Sequence, residues 1–315
     1  MKNSIKIEKT LLNKLKVKHF SLLTEIDRFQ NVLKASKELN MRQPAASKML
    51  QEIEDILGVT LFERGRRGVE TTPYGEILVA QAKQVLSAVR HASEEIVSLK
   101  DGVSGHVRIG TLLAAAPVLL PSAVTSLKST HPEVLVSIQD GTNESLIAAL
   151  DNGDIDLAIS RMQPSLIQKG LLHEVLYEDH MCVVSRTGHP GAESNNIAVK
   201  ELAECQWILP GPQTLLRDQF NQVFSSAGVK PPSDKVVESV SLHMNLALLL
   251  QTDMVTFLPY HAAKPYIDLG LLKQLNTRIN SKYGPIGVSY KQQESLTPAS
   301  RIMLEYLRKE AEKLS

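Results

Sequence analysis

The 315-residue sequence predicts an α/β protein in three parts, on three observations. Residues 15 to 57 show only helical spacing of apolar side chains, and residues 78–99 carry one unbroken apolar stripe. From His106 onward, short apolar strands alternate with amphipathic helices. The expected order is a small helical unit ending in a two-stranded hairpin (1–72), one long helix (73–101) and a hinge (102–105). Two α/β lobes follow, 106–179 plus 281–315 and 180–280.

With 43% hydrophobic and 22% charged residues, the composition is that of a globular protein with enough apolar side chains for two or three cores. No stretch approaches the roughly 20 apolar residues of a membrane span. The opening MKNSIKIEKTLLNKLK lacks an apolar core and a small-residue cleavage site, so a cytoplasmic protein with no membrane partner is expected. Cys182 and Cys205 stand singly, without CxxC or Cys/His spacing, and are read as reduced packing residues. No metal and no cofactor are expected. The net charge of +1 hides an asymmetry: residues 1–72 hold 14 Lys/Arg against 9 Asp/Glu, while residues 73–315 hold 21 against 25. A basic small unit tied to a mildly acidic large one suits attraction to phosphates by the small unit alone.

Within the first unit, Leu15, His19, Phe20, Leu22, Leu23 and Ile26 recur at three- and four-residue spacing, predicting a helix that ends near Phe29. Asn31 is a candidate N-cap for a second helix, whose Val32, Ala35, Ser36 and Leu39 form one side. Only Asn40, Met41 and Arg42 separate it from QPAASKMLQEIEDILG, with Ala46, Leu50, Ile53 and Leu57 facing inward. Two helices joined by so short a turn form a helix-turn-helix.

The exposed start of the third helix has chemistry suited to a major groove. A Gln43 amide can pair with adenine, Ala45 can touch a thymine methyl, Ser47 can donate to phosphate, and Lys48 can reach guanine or phosphate. The same residues equally suit an ordinary solvated helix face. After Gly58 come a short strand, a basic turn with Arg64, Arg66 and Arg67, and a second strand, which read as a wing. Arg42 cannot accept a hydrogen bond as a cap, but it places a permanent charge beside a DNA backbone.

The run from Leu15 to Gly75 resembles the LysR-type transcriptional regulators. The matching residues are Ala35-Ser36, Leu39, Gln43-Pro44-Ala45-Ala46-Ser47, Ile53-Glu54, Leu57-Gly58, Leu61-Phe62-Glu63-Arg64 and Thr71-Thr72-Pro73-Tyr74-Gly75. The resemblance implies a double-stranded DNA operator as partner, with Gln43, Pro44, Ser47 and Lys48 contacting DNA and Arg64 contacting the backbone before the wing. Two positions depart from the pattern: Arg42 stands where the family usually has Ser or Thr, and Leu33 where it often has Thr.

Thr72 followed by Pro73 is a helix start. From there Leu78, Ala82, Val85, Val89, Ala92, Ile96 and Leu99 alternate in steps of four and three, a three-heptad seam expected to hold a homodimer. A single amphipathic helix lying on its own domain would match this narrow 3.5-residue stripe less well. A helix of about 27 residues spans roughly 40 Å, close to one turn of B-DNA. The family resemblance extends the assembly to a homotetramer.

HVRIGTLL, a helix after Pro117, LVSIQDG, NESLIAALDNG and IDLAISRM read as β-α-β-α-β and imply a parallel sheet. A second series starts at His180 and runs through QWILPG, LLRDQFNQVFSSAG, KVVESV, HMNLALLLQ, MVTFLPY and IGVSY. The resemblance extends here too, implying a regulatory domain similar to periplasmic solute-binding proteins with a small-molecule effector between the lobes. Ligands in such sheets bind at the carboxyl ends of strands. That rule selects Thr111, Leu112, Leu113 and Ala114, then Thr142 and Asn143, Arg161, Pro210 and Gly211, and Leu258 and Pro259. Thr142 and Arg161 coincide best with the family's pocket positions. Thr142 or Asn143 equally suits a helix cap, and Arg161 a surface ion pair. An organic anion with an apolar or aromatic body would satisfy Arg161 and the leucines; a sugar acid is the alternative. HVRIG, YGPIG and SLTPAS are most similar to the subgroup regulating sugar-binding-protein and aromatic-catabolism operons.

An enzyme is disfavoured because the sequence has no GxSxG elbow, no GxGxxG after a strand, no P-loop and no His pair at metal spacing, so no catalytic residue is assigned. A solute-binding or sequestering protein would leave residues 15–105 without purpose. A redox-responsive regulator would need a reactive thiol, whereas Cys182 lies in an expected strand and Cys205 beside Trp207.

Overall fold

A computed structural model describes residues 11–65, 68–101, 104–112, 116–162, 170–277, 279, 281–292 and 296–314. Arg66, Arg67, Leu113 and Ala114, singled out by the sequence, lie outside the described residues. The N-terminal unit contains α1 (Val17–Phe29), α2 (Val32–Glu38), α3 (Gln43–Leu57) and the antiparallel hairpin β1 (Phe62–Gly65) and β2 (Gly68–Thr71). Its core joins Leu22, Leu23, Ile26, Ala46 and Ile53, the expected inward stripes, to Leu61 at the start of the hairpin.

Local chemistry sets the helix boundaries. The Asn31 side chain accepts from the Lys34 N–H (3.0 Å), capping α2 as expected. Asn40 takes a left-handed conformation (φ 53) in the turn to α3, which Asn tolerates better than most residues. Gly58, also left-handed, ends α3. The long helix α4 (Pro73–Asp101) starts where Thr72 Oγ1 accepts from the Gly75 N–H (3.1 Å). A side chain at Gly75 would collide with the Leu61 carbonyl, so only glycine lets the long helix leave the hairpin this closely.

The rest of the chain is built on one sheet. It contains β3 (Gly105–Thr111), β4 (Val134–Asp140), β5 (Leu157–Arg161), β6 (Leu171–Arg186), β7 (Trp207–Leu209), β8 (Val236–Glu238), β9 (Val255–Pro259), β10 (Leu272–Gln274) and β11 (Ser281–Lys291). The order is β4-β3-β5-β11-β6-β9-β7-β8, with β10 paired to β6. The helices are α5 (Ala116–Thr130), α6 (Asn143–Asn152), α7 (Val199–Leu202), α8 (Leu215–Ser226), α9 (Leu242–Gln251), α10 (Tyr260–Asp268) and α11 (Pro298–Ala311). The expected β-α-β-α-β unit is β3-α5-β4-α6-β5, with β3 parallel to both β4 and β5.

The expected strand at 180–186 is only the second half of β6. The 16-residue strand pairs with β11 over Leu171–Met181 and with β9 over Met181–Val184, so it runs unbroken from one half of the sheet into the other. Its burial follows neither strict alternation nor a continuous apolar run, because its two ends face different packing environments. One core packs α5 and α11 against β3, β5 and β11 around Ile109, Leu157, Tyr177 and Met303. On the far half, alternation along β7 sends Trp207 into a cluster with Phe220, Phe224 and Phe257, and Ile208 into another with Leu249 and Ala263.

Candidate nucleic-acid interface and effector site

The turn before α3 brings the expected DNA-facing residues together. Arg42, Gln43, Pro44, Ala45 and Lys48 are exposed, and Ser47 is half-buried. Gln43 Nε2 donates to Ser47 Oγ one helical turn away (3.1 Å), which holds the amide upright on the helix start. Arg42 has extended backbone (φ −78, ψ 136), the geometry of a cap, yet makes no side-chain cap bond. Behind this face, Glu54 Oε1 accepts from the Leu61 N–H (2.7 Å) and Phe62 N–H (3.3 Å), tying α3 to the hairpin that carries Arg64. Lys14, Lys16 and Lys48 border a solvent-open cleft beside α3.

The long helix has three faces with different surroundings. Leu78 packs on the core of the N-terminal unit and Ala82 is buried, so these two positions of the expected seam are already covered. The remaining positions, Val85, Val89, Ala92, Ile96 and Leu99, are exposed; Leu99 is 88% exposed. A third face docks on the α6 and β3 region through polar contacts that sequence reading missed. Arg90 donates to the Gly153 carbonyl (2.6 Å), His91 meets Asp156 (3.3 Å), and Glu94 pairs with Arg108 (3.5 Å). Asp156, 4% exposed, also accepts from the Arg108 N–H (2.7 Å). Burial, and secondarily the nearby Asp156, push the Glu94 carboxyl up, while Arg108 opposes them. A Cβ at Gly153 would lie 2.5 Å from Ser87 Oγ, so glycine permits this approach as well as its left-handed φ of 74. The missed signal was present in sequence only as Arg90, Glu94 and Asp156 interrupting otherwise ordinary elements.

The residues expected to bind an effector fall into two groups. In the first, Thr111 is fully buried and its hydroxyl donates to the Leu112 carbonyl (3.2 Å). Thr142 caps α6 by accepting from the Ser145 N–H (3.2 Å), so the capping alternative is realised at this residue. Asn143 is 91% buried, and its Oδ1 has no hydrogen-bond partner among the described residues. Arg161, half-buried at the end of β5, lies against Gly284, where an added Cβ would come within 3.3 Å of its Nε. In the second group, Pro210, Leu258 and Pro259 border a cavity together with Leu216, Val240, Leu242 and Asn245. Gly211 follows Pro210, whose carbonyl accepts from Arg217 (3.1 Å). Asn245, Thr256 and Ala262 were not anticipated; a single Asn inside HMNLALLLQ was the available signal.

Neither cysteine is set up for reaction: burial pushes the Cys182 thiol up to about 12 and raises that of Cys205. Among the described residues no cluster of His, Cys, Asp and Glu could hold a metal, and no helix is long and apolar enough to cross a membrane.

A helix-turn-helix with a hairpin wing, joined by a long helix to a ligand-domain sheet, defines a DNA-binding regulator. Residues 17–76 match the bacterial regulatory helix-turn-helix protein, lysR family, and residues 100–312 match the LysR substrate binding domain; the chain belongs to the LysR family of transcriptional regulators. It is 33% identical over 296 residues to the HTH-type transcriptional regulator GbpR of Azospirillum brasilense, covering 94% of this chain and 86% of that one. It is 26% identical over 301 residues to the HTH-type transcriptional regulator PcaQ of Agrobacterium fabrum, covering 96% of each. Among solved structures, CbnR, a LysR family transcriptional regulator, superposes with a TM-score of 0.66 at 19% identity, covering 94% of this chain and 99% of that one. These relatives are regulators, and this chain is a regulator, not an enzyme.

Proposed function

We propose that the chain binds an operator as a dimer through two copies of α3, and that a small organic molecule held by the sheet domain controls its activity. The DNA half rests above all on the exposed first turn of α3. A carboxamide nitrogen has two hydrogens; with one on Ser47, Gln43 still presents Oε1 and the second hydrogen as the bidentate edge that pairs with adenine. Arg42, Lys48 and Arg64 supply phosphate contacts, and Arg66 and Arg67 are proposed to add to them. The exposed stripe Val85, Val89, Ala92, Ile96 and Leu99 supports pairing with a second copy. A tetramer is the proposed larger assembly.

For the effector, Thr142, Asn143 and Arg161 are the proposed contacts on one lobe (106–179 plus 281–315), and Pro210, Gly211, Leu258 and Pro259 on the other (180–280). An organic anion suits Arg161. The polar junction of Arg90, His91 and Glu94 with Arg108 and Asp156 gives the ligand domain a direct mechanical hold on the helix that sets the spacing of the DNA-binding units.

Gel shifts of the full chain with DNA flanking its own gene test this reading. Gln43→Ala should relax base preference at one position per half-site, at a cost of about 1–3 kcal/mol. An unchanged ratio of operator to scrambled-DNA affinity in the variant would reject the assignment.

A further inference from the structure

The cavity between β9, α9 and the loop after β7 carries chemistry that an anion-binding role does not explain. About 580 Å³ of atom-free space lies within it, its open mouth included. Its walls include Pro210, Leu216, Val240, Leu242, Phe257 and Leu258, and no charged side chain lines it among the described residues. An ionised group placed there would lose its hydration without compensation.

One polar side chain breaks the apolar wall without being used by the fold. Asn245 shares the inward face of α9 with Leu242 and Leu249, is 5% exposed, and its Oδ1 has no hydrogen-bond partner among the described residues. The other polar groups there are already engaged: Thr256 donates to the Ile208 carbonyl (2.7 Å), and Ser239 Oγ accepts from the Ser241 N–H (3.3 Å). An unpaired buried carboxamide carries a desolvation penalty that an apolar side chain of similar size would avoid. The carboxamide offers both a donor and an acceptor, and a hydroxyl is the small neutral group that can answer either.

We propose that this cavity is a binding site for a compact, uncharged, hydroxylated ring compound, held by its apolar faces and by one hydrogen bond to Asn245. The inference rests on the reading of residues 106–315 as a ligand-binding domain, and it assigns the cavity a chemistry different from the anionic end proposed for Arg161.

Calorimetric titration of the full chain with phenol, toluene and benzoate tests it. Phenol should bind the wild-type protein about tenfold more tightly than toluene, the worth of one hydrogen bond whose loss leaves a partner unsatisfied. Benzoate should bind more weakly than phenol. Asn245→Leu should lower phenol affinity below that of toluene, because the buried hydroxyl is then left without a partner. The proposal is overturned if phenol does not bind, if benzoate binds as tightly as phenol, or if Asn245→Leu preserves the phenol-to-toluene ratio. The wild-type series decides even if a variant fails to fold. Operator binding is scored separately by gel shift, so loss of the cavity proposal and loss of the regulator reading give different results.

Discussion

Replacing Arg42 by Ser should stabilise the N-terminal unit slightly and weaken its binding to every DNA sequence, two effects of opposite sign. Arg42 sits at the N-cap of α3 with cap-like backbone angles and no side-chain cap bond. Introducing a cap is ordinarily worth about 0.5–2 kcal/mol. The structure places this case at the low end. A cap accepts from the second or third helical N–H; the second residue is Pro44, which has none, and the third, Ala45, already donates to the Arg42 carbonyl (2.9 Å). The expected gain is therefore about 0.5 kcal/mol, which for a unit of this size shifts Tm by about 2–4 °C. The loss is electrostatic. Each phosphate neutralised contributes about 0.9 to the slope of log K against log salt, so a dimer lacking both Arg42 charges should lose about 1.8. The assay is operator and scrambled-DNA affinity across a salt series, alongside thermal unfolding. An unchanged salt slope would show that Arg42 reaches no phosphate, and a fall in Tm would show that the arginine already satisfies the helix start.

Three further outcomes follow from the geometry. Val89→Glu places a charge on the exposed stripe of α4, where Val89 is 49% exposed in the single chain; sedimentation should show dissociation into monomers with the ligand domain still folded, and an unchanged oligomer would count against the seam. Asp156→Asn keeps an acceptor for the Arg108 N–H but removes the charge opposite His91 and Arg108, and should destabilise the docking of α4 by about 1–3 kcal/mol; hydrogen exchange over residues 87–94 that matches wild type would refute this. Burial first, then the neighbouring Lys18, lowers the pKa of His19 below 6.5. The unfolded chain then binds more protons than the folded one, so the stability that neutral His19 contributes is present above pH 6.5 and is lost as pH falls below it. His19→Leu should flatten that dependence in denaturant titrations, and an unchanged pH profile would dismiss His19 as its source.

The helix-turn-helix was legible because its determinants are local. Asn31, Asn40, Gly58 and Thr72 mark boundaries through bonds or backbone angles set within a few residues, and the Gln43 to Lys48 face depends on helical periodicity alone. The alternating strands after His106 also identified the parallel unit around β3, since a crossover helix leaves its mark between two strands. What tertiary structure decided involves partners distant in sequence. A 3.5-residue stripe shows that α4 buries one face, but not against what: Leu78 packs on the chain's own N-terminal unit and Ala82 is buried, whereas Val85, Val89, Ala92, Ile96 and Leu99 are left exposed. The Arg90–Gly153 and Arg108–Asp156 contacts bridge 63 and 48 positions, and no single-segment pattern registers such pairings. The length of β6 depended on β11 and β9 arriving on its opposite edges from some 70 to 120 residues further on, with their register fixed only by the completed sheet. Asn245 reads in sequence as one polar residue on an apolar helix; that it stands unpaired in a cavity follows only from where Pro210, Phe257 and Ala262 come to rest. Capping and periodicity act over one or two helical turns and can be read along the chain, while packing and desolvation are set by neighbours that only the folded chain brings together.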